Sequence, residues 1–258
     1  MCQAALSVSR KEEDVLQNPG AYDFTHKIAT YEVGEQSTLT LSSLLRLCQQ
    51  ASEEHLAAMD LPYERLKRDG FVFLFVRTHI TLFGLPGHGE TISITTKPCG
   101  VSGAQFYRSF DLRSAGTSEP FAQVLQASVL ADSRTHKIQR PKLFLQYGVD
   151  PGGKPETILT RLALPEELPP LGERPIRYSD LDYNGHLNNA IYADILCDFL
   201  PGGMFGTQIS ELQIDYHSEA LYGETLKLYG EKRGSEIWFR GVHERGLSFE
   251  ARLIVQRY

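Results

Sequence analysis

From about residue 24 the chain passes from strand-like to helix-like hydrophobic spacing and back, and it does so twice. Residues 24–41 (FTHKIATYEVGEQSTLTL) are rich in Thr, Tyr and Val and read as a strand region. Leu44, Leu47, Cys48, Ala51, His55 and Met59 then recur at helical spacing, with Ser42 and Ser43 as N-cap candidates. Four strand-like stretches follow: GFVFLFVRTHITL, GETISITTKP, AQFYRSFDLRS and FAQVLQASVLAD. Ser-Ala-Gly-Thr-Ser between the last two is a hairpin turn.

The second half runs through the same parts. ERPIRYSD reads as a short strand. Asn188 is placed to cap a helix over NAIYADILCDFL, with Ile191, Ile195 and Phe199 on one face and Pro201-Gly202-Gly203 as the stop. Four more strands follow: GTQISELQIDYHS, GETLKLYGEKR, SEIWFRGVHE and LSFEARLIVQR. Gly-Glu-Thr opens the equivalent strand in both halves, at Gly89 and at Gly223. Matching order and matching tripeptide together indicate a duplicated unit. One long helix wrapped by a curved antiparallel sheet is the hotdog arrangement, so the expected class is α+β, a tandem double hotdog. The expected divisions are an N-terminal segment 1–23, a first unit 24–133, a link 134–172 and a second unit 173–258. The link is rich in Pro, Gly and charge, and its length suits a path over the surface of both units.

Composition adds exclusions. At 258 residues, 41% hydrophobic and 22% charged, the chain can fold around a sizeable core without metal or disulfide. A net charge of −6 with no basic stripe argues against nucleic-acid binding. The cysteines (Cys2, Cys48, Cys99, Cys197) stand apart, as in a reduced, cytoplasmic protein. The longest aliphatic and aromatic run, Phe71 to Val76, is far too short to span a membrane.

Candidate chemistry concentrates in RYSDLDYNGHLNNAIY, residues 177–192, directly ahead of the second helix. The alternation Asp182-x-Asn184-x-His186 puts three side chains on one face of an extended segment. An imidazole, a carboxylate and an amide beside a helix start suit hydrolysis: His titrates near neutrality and the helix N–H groups can meet an oxyanion. The same residue types also build turns and caps, so spacing alone leaves both readings open. With Leu41 set opposite Leu187, the first unit offers only Gln36, Thr38 and Thr40 opposite Asp182, Asn184 and His186. The second unit is therefore the expected chemical half.

The stretch S-D-L-D-x-N-x-H-[VL]-N-N-x-x-Y resembles the signature of the acyl–acyl-carrier-protein (ACP) thioesterases. Tyr216-His217-Ser218-Glu219-Ala220 is similar to the Y-x-x-E-C segment of that family, and Asp132-Ser133-Arg134-Thr135-His136-Lys137 is a looser match to its D-x-x-T-R-[RK]-P-like segment. The resemblance implies hydrolysis of fatty acyl-ACP without a cofactor or metal. It assigns catalytic roles to Asp182, Asn184, His186 and Glu219, with Glu219 as base or nucleophile. Ala220 stands where many plant members have Cys, so no thiol nucleophile is available there, and Cys197 reads as core packing. No G-x-S-x-G elbow occurs.

The first unit keeps an apolar interior without the polar set, so it is expected to hold the acyl chain, bounded by Leu47, Ala51 and His55. Arg177 is a further candidate for substrate contact or for an ion pair. His79, His88, His217 and His243 read as structural or surface groups. Arg134, Lys137, Arg140 and Lys142 form a local basic cluster that either solvates the link or docks an acidic carrier protein. Acyl carrier protein is the expected partner, and the sequence leaves open a homodimer. An acyl-coenzyme A thioesterase and a non-catalytic acyl-binding protein are the competing readings.

Overall fold

The computed structural model describes residues 20–257; Cys2 and most of the segment 1–23 lie outside the described residues. The first half comprises β1 (Tyr22–Lys27), α1 (Leu41–Ala58), α2 (Tyr63–Arg68), β2 (Phe71–Leu82), β3 (Thr91–Ser102), β4 (Gln105–Ser114) and β5 (Ala122–Asp132). The second comprises β6 (Pro170–Pro175), α3 (Ile191–Asp198), β7 (Thr207–Tyr216), β8 (Thr225–Arg233), β9 (Glu236–His243) and β10 (Gly246–Arg257). All ten strands form one antiparallel sheet in the order β1-β3-β4-β5-β2-β7-β10-β9-β8-β6. Read outward from the central β2–β7 pair, the two halves have the same strand order, which is the duplication seen in the sequence.

Strand alternation separates the two faces of the sheet. Ile80, Leu212, Ile214, Phe239, Phe249, Ala251 and Leu253 are buried on one face, where they join Leu44, Leu47, Cys48 and Ala51 of α1 and Ala193, Ile195 and Leu196 of α3 in one core. Thr40, rather than Ser42 or Ser43, caps α1: its Oγ1 accepts from the Ser43 N–H at 3.2 Å. The residue before the first helical position is in extended backbone and can turn its hydroxyl back, whereas Ser42 and Ser43 are already inside the helix. No helix among the described residues is long and apolar enough to cross a membrane.

The other face carries Arg77, Gln213, Asp215, Arg240 and Glu250, and the link runs across it. Arg77 Nη1 donates to the Leu159 carbonyl, Gln213 Nε2 to Thr160, and Arg240 Nη1 to Glu166. The Leu162 N–H donates to Asp215 Oδ2 and the Gly230 N–H to the Pro169 carbonyl. The link thus crosses the strands in sheet order, held by its own peptide groups. Gly100 is required where it passes: its φ is +112°, and a Cβ there would lie 2.1 Å from the Gly153 carbonyl oxygen.

Candidate active site

The polar stretch ahead of α3 is folded by its own backbone. The Asp182 N–H donates to the His186 carbonyl at 2.8 Å, and Asp182 Oδ1 accepts from the N–H groups of Asn184 (2.8 Å) and His186 (3.2 Å). Gly185, at φ +85°, closes the turn in the left-handed region. The Leu187 N–H then donates to the Ala220 carbonyl at 2.9 Å, which ties this turn to the loop after β7.

The first unit repeats that wiring with other side chains. Gly34 N–H donates to Thr38, Leu39 N–H to Pro86 and Ile28 N–H to Glu90, as Asp182 does to His186, Leu187 to Ala220 and Ile176 to Glu224. The true correspondence therefore sets Leu39, not Leu41, opposite Leu187. Gly34, Gln36 and Thr38 stand opposite Asp182, Asn184 and His186, and Leu85 stands opposite Glu219. The offset arises because Asn188 accepts from the Ala190 N–H at 2.9 Å in an extra turn, which starts α3 two residues later than its counterpart.

Glu219 is the meeting point. His186 Nε2 lies 3.2 Å from its Oε2, and His136 Nδ1 lies 2.9 Å from its Oε1. The two imidazoles meet edge to face with centroids 5.2 Å apart. Arg245 fixes the loop behind, donating to the Glu219 carbonyl and, through Nε, to Glu224 Oε1 at 2.6 Å. Those Arg245 bonds hold the Glu224 carboxyl below its ordinary pKa. Ser218 Oγ donates to the Leu247 carbonyl at 2.6 Å. Tyr216 and Tyr192 pack below, and burial raises the Tyr192 phenol to about 12.

His136 comes from the Asp132-Ser133-Arg134-Thr135 turn after β5. Asp132 Oδ1 accepts from the Arg134 and Thr135 N–H groups and the Thr135 hydroxyl; the Thr135 bonds lead in holding that carboxyl below its usual pKa. The turn ends with His136 at φ +53°, a conformation rarely adopted by a non-glycine residue. Nothing in the local pattern singles out His136 as a neighbour of Glu219; its one legible signal is the Asp-x-x-Thr turn immediately before it. The side chains of His136, His186 and Glu219 bring three donor atoms within 4.8 Å of one another, a set that also suits a cation.

Asn184 faces the first unit. Its Oδ1 accepts from the Tyr63 hydroxyl at 3.1 Å and from Lys67 Nζ at 3.4 Å, both on α2, while Lys67 lies over the Tyr183 ring. Because Lys can only donate, the oxygen must point that way, and Nδ2 at the rim has no acceptor among the described residues. At about a turn and a half behind Pro62, α2 is too short to show a helical period in the sequence.

A cavity of about 680 Å³ opens at this corner. Its apolar wall comes from Leu56, Met59, Leu66, Phe73, Phe75 and Phe106 of the first unit and from Phe144 and Val149 of the link. Phe73, Phe106 and Phe144 pack edge to face at its end. Leu47, Ala51 and His55, the expected boundary, are not part of the lining: they lie on the buried face of α1, at 3%, 0% and 2% exposure. The lining face is Gln49, Ser52, Glu53 and Leu56, because α1 turns its most apolar stripe to the sheet. Arg177 is exposed and outside the cavity; its N–H donates to Asp180, which Arg174 holds through two bonds of 2.7 and 2.9 Å. Arg134, Lys137, Arg140 and Lys142 are exposed on either side of the His136 turn. Cys197 is partly buried, and burial, reinforced by Asp194 and Asp198, raises its thiol to about 12. His79 and His217 pair with Glu211 and Glu250, and His243 with Ser218.

The family model described as the acyl-ACP thioesterase N-terminal domain matches residues 19–142, and the C-terminal domain model matches residues 171–254. The chain is 25% identical over 220 residues to the chloroplastic dodecanoyl-[acyl-carrier-protein] hydrolase of Cinnamomum camphora, covering 79% of this chain and 57% of that protein. It is 24% identical to oleoyl-acyl carrier protein thioesterase 2 of Arabidopsis thaliana, covering 74% of this chain and 58% of the relative. It thus spans a little over half the length of these relatives. In fold it is similar to an acyl-ACP thioesterase of Bacteroides thetaiotaomicron (TM-score 0.79, 17% identity, 92% and 98% coverage). The 12:0-ACP thioesterase of Umbellularia californica is a second neighbour, with TM-score 0.77, 20% identity and the same coverage.

Proposed function

We propose that this chain, which belongs to the acyl-ACP thioesterase family, hydrolyses the thioester between a fatty acyl chain and acyl carrier protein. The observation that carries the proposal is the position of Glu219. It is a carboxylate flanked by two imidazoles, at the polar corner of a cavity whose other walls are largely apolar. The fatty chain lies along Leu56, Met59, Phe73 and Phe106, with the thioester at the corner.

Glu219 takes a proton from water as the water oxygen attacks the thioester carbonyl. His186 and His136 hold the carboxylate and carry that proton to the departing thiolate as the C–S bond breaks. The Asn189 N–H has no hydrogen-bond partner among the described residues, whereas its neighbours Leu187, Asn188, Ala190 and Ile191 all have one. Together with Asn184 Nδ2, it is available to the oxyanion. Asp182 is a positioning residue that shapes the turn through two backbone N–H groups. Arg134, Lys137, Arg140 and Lys142, with Lys67 at the rim, form the face on which an acidic carrier protein docks in the cytoplasm.

The deciding experiment offers one acyl chain on acyl carrier protein and on coenzyme A. Faster hydrolysis from the carrier protein, with a rate that falls as salt rises, supports the proposal. Preference for coenzyme A would make the chain an acyl-CoA thioesterase. Tight binding without turnover of either would make it an acyl-binding protein.

A further inference from the structure

Part of the cavity wall is unsuited to a plain hydrocarbon. Arg108 on β4, Gln126 on β5 and Thr78 on β2 are cross-strand neighbours on the face that carries the cavity, and Arg108 and Gln126 line it with Gln49 and Ser52 of α1. Arg108 Nη1 donates to His55 Nδ1 at 3.0 Å and to Thr96 Oγ1 at 3.2 Å. No partner for Nε or Nη2 and no carboxylate within 4.0 Å of the guanidinium occurs among the described residues. Glu53 lines the same cavity, but its Oε1 accepts from Gln49. Burial lowers the Arg108 pKa to about 10, so the group remains cationic at neutral pH. A partly desolvated cation with unused donors is costly, and a methylene chain packed against it would leave that cost uncompensated.

We propose that the acyl chains this cavity selects carry an oxygen function, a hydroxyl or a carboxylate, that accepts from Arg108 and Gln126. The inference rests on the proposal that the chain occupies this cavity. It goes further by naming the kind of chain. Thr78 adjoins Tyr216 of the catalytic corner, and Arg108 lies two strands beyond Thr78, roughly 10 Å at ~4.8 Å per strand. At about 1.2 Å per bond of extended chain, that places the oxygen on the order of eight bonds or more from the thioester. It therefore belongs far along the chain or at its end, not beside the carbonyl.

The test reads binding rather than turnover. Three pantetheine amides, in which nitrogen replaces the thioester sulfur, carry dodecanoyl, 12-hydroxydodecanoyl and 11-carboxyundecanoyl chains and are titrated calorimetrically into the wild type and Arg108→Met. The expected result is at least about tenfold tighter binding of an oxygenated probe by the wild type, and a preference for the dodecanoyl probe in Arg108→Met. Tighter or equal binding of the dodecanoyl probe by the wild type would overturn the inference without recourse to the variant. An equal loss for all three probes in a folded Arg108→Met would overturn it as well. A protein that bound these probes but hydrolysed no acyl carrier thioester would refute the proposed function and leave this comparison intact.

Discussion

His136 Nδ1 lies 2.9 Å from Glu219 Oε1, although 83 residues separate them and they follow strands of different halves. The Glu219 carboxylate of the second unit thus meets an imidazole from the turn where the link leaves β5 of the first. Replacing His136 by Gln keeps a hydrogen-bonding group but removes proton transfer, and kcat should fall by about 10²-fold with little change in KM. Steady-state kinetics on one acyl-ACP checks this. Unchanged kcat in a folded variant would reduce His136 to a neighbour of Glu219.

Chain-length selection should respond to the lining face of α1 and not to its buried face. Enlarging Leu56 to Phe fills space against Phe73 and Phe106, and each methylene excluded forfeits about 0.8 kcal/mol, roughly fourfold in binding. The preferred chain should shorten. Ala51→Val, on the fully buried stripe, should lower the melting temperature and leave the product profile alone. Gas chromatography of the released acids separates the two outcomes.

Asp180 should make the turn ahead of α3 acid-sensitive. Burial alone pushes its carboxyl up, but the two Arg174 bonds and the Arg177 N–H outweigh burial and hold it below the ordinary value of 3.8. A depressed folded pKa stabilises the protein above that ordinary value, and the contribution is lost as pH falls through the lower folded value. Asp180→Asn should cost roughly 3 kcal/mol near pH 7, because Arg174 then loses its partner in a largely buried site. The difference from wild type should shrink below about pH 4. Denaturant melts at several pH values measure it, and a pH-independent difference would contradict the assignment.

Much of this architecture is legible in the sequence because both halves obey one alternation and one helix rule. Gly-Glu-Thr opens the second strand after the long helix in each half, and the Asp182–His186 turn is dense enough in Asp, Asn and Gly to announce itself. What escaped depends on backbone wiring. Nothing in residue spacing says that Asn188 inserts an extra turn before α3, and aligning the two halves on their helix starts therefore falls two positions out of step. Spacing alone does not separate the buried stripe of α1 from the cavity wall, because Leu47 and Ala51 suit a sheet and a fatty chain equally well. Only the fold shows that Leu56, one residue past His55 and about 100° round the helix, faces the cavity. His136 depends on a contact between halves and could not be reached from local pattern alone.

The central claim is that the Glu219 carboxylate performs the chemistry, and Glu219→Gln tests it most directly. The substitution preserves size and hydrogen bonding to His186 and His136 while removing basicity. Measured on acyl carrier protein bearing a single acyl chain, with folding checked by melting temperature, kcat should fall by about 10²–10⁴-fold and KM should stay close to wild type. Near-normal kcat in the folded variant would contradict the account.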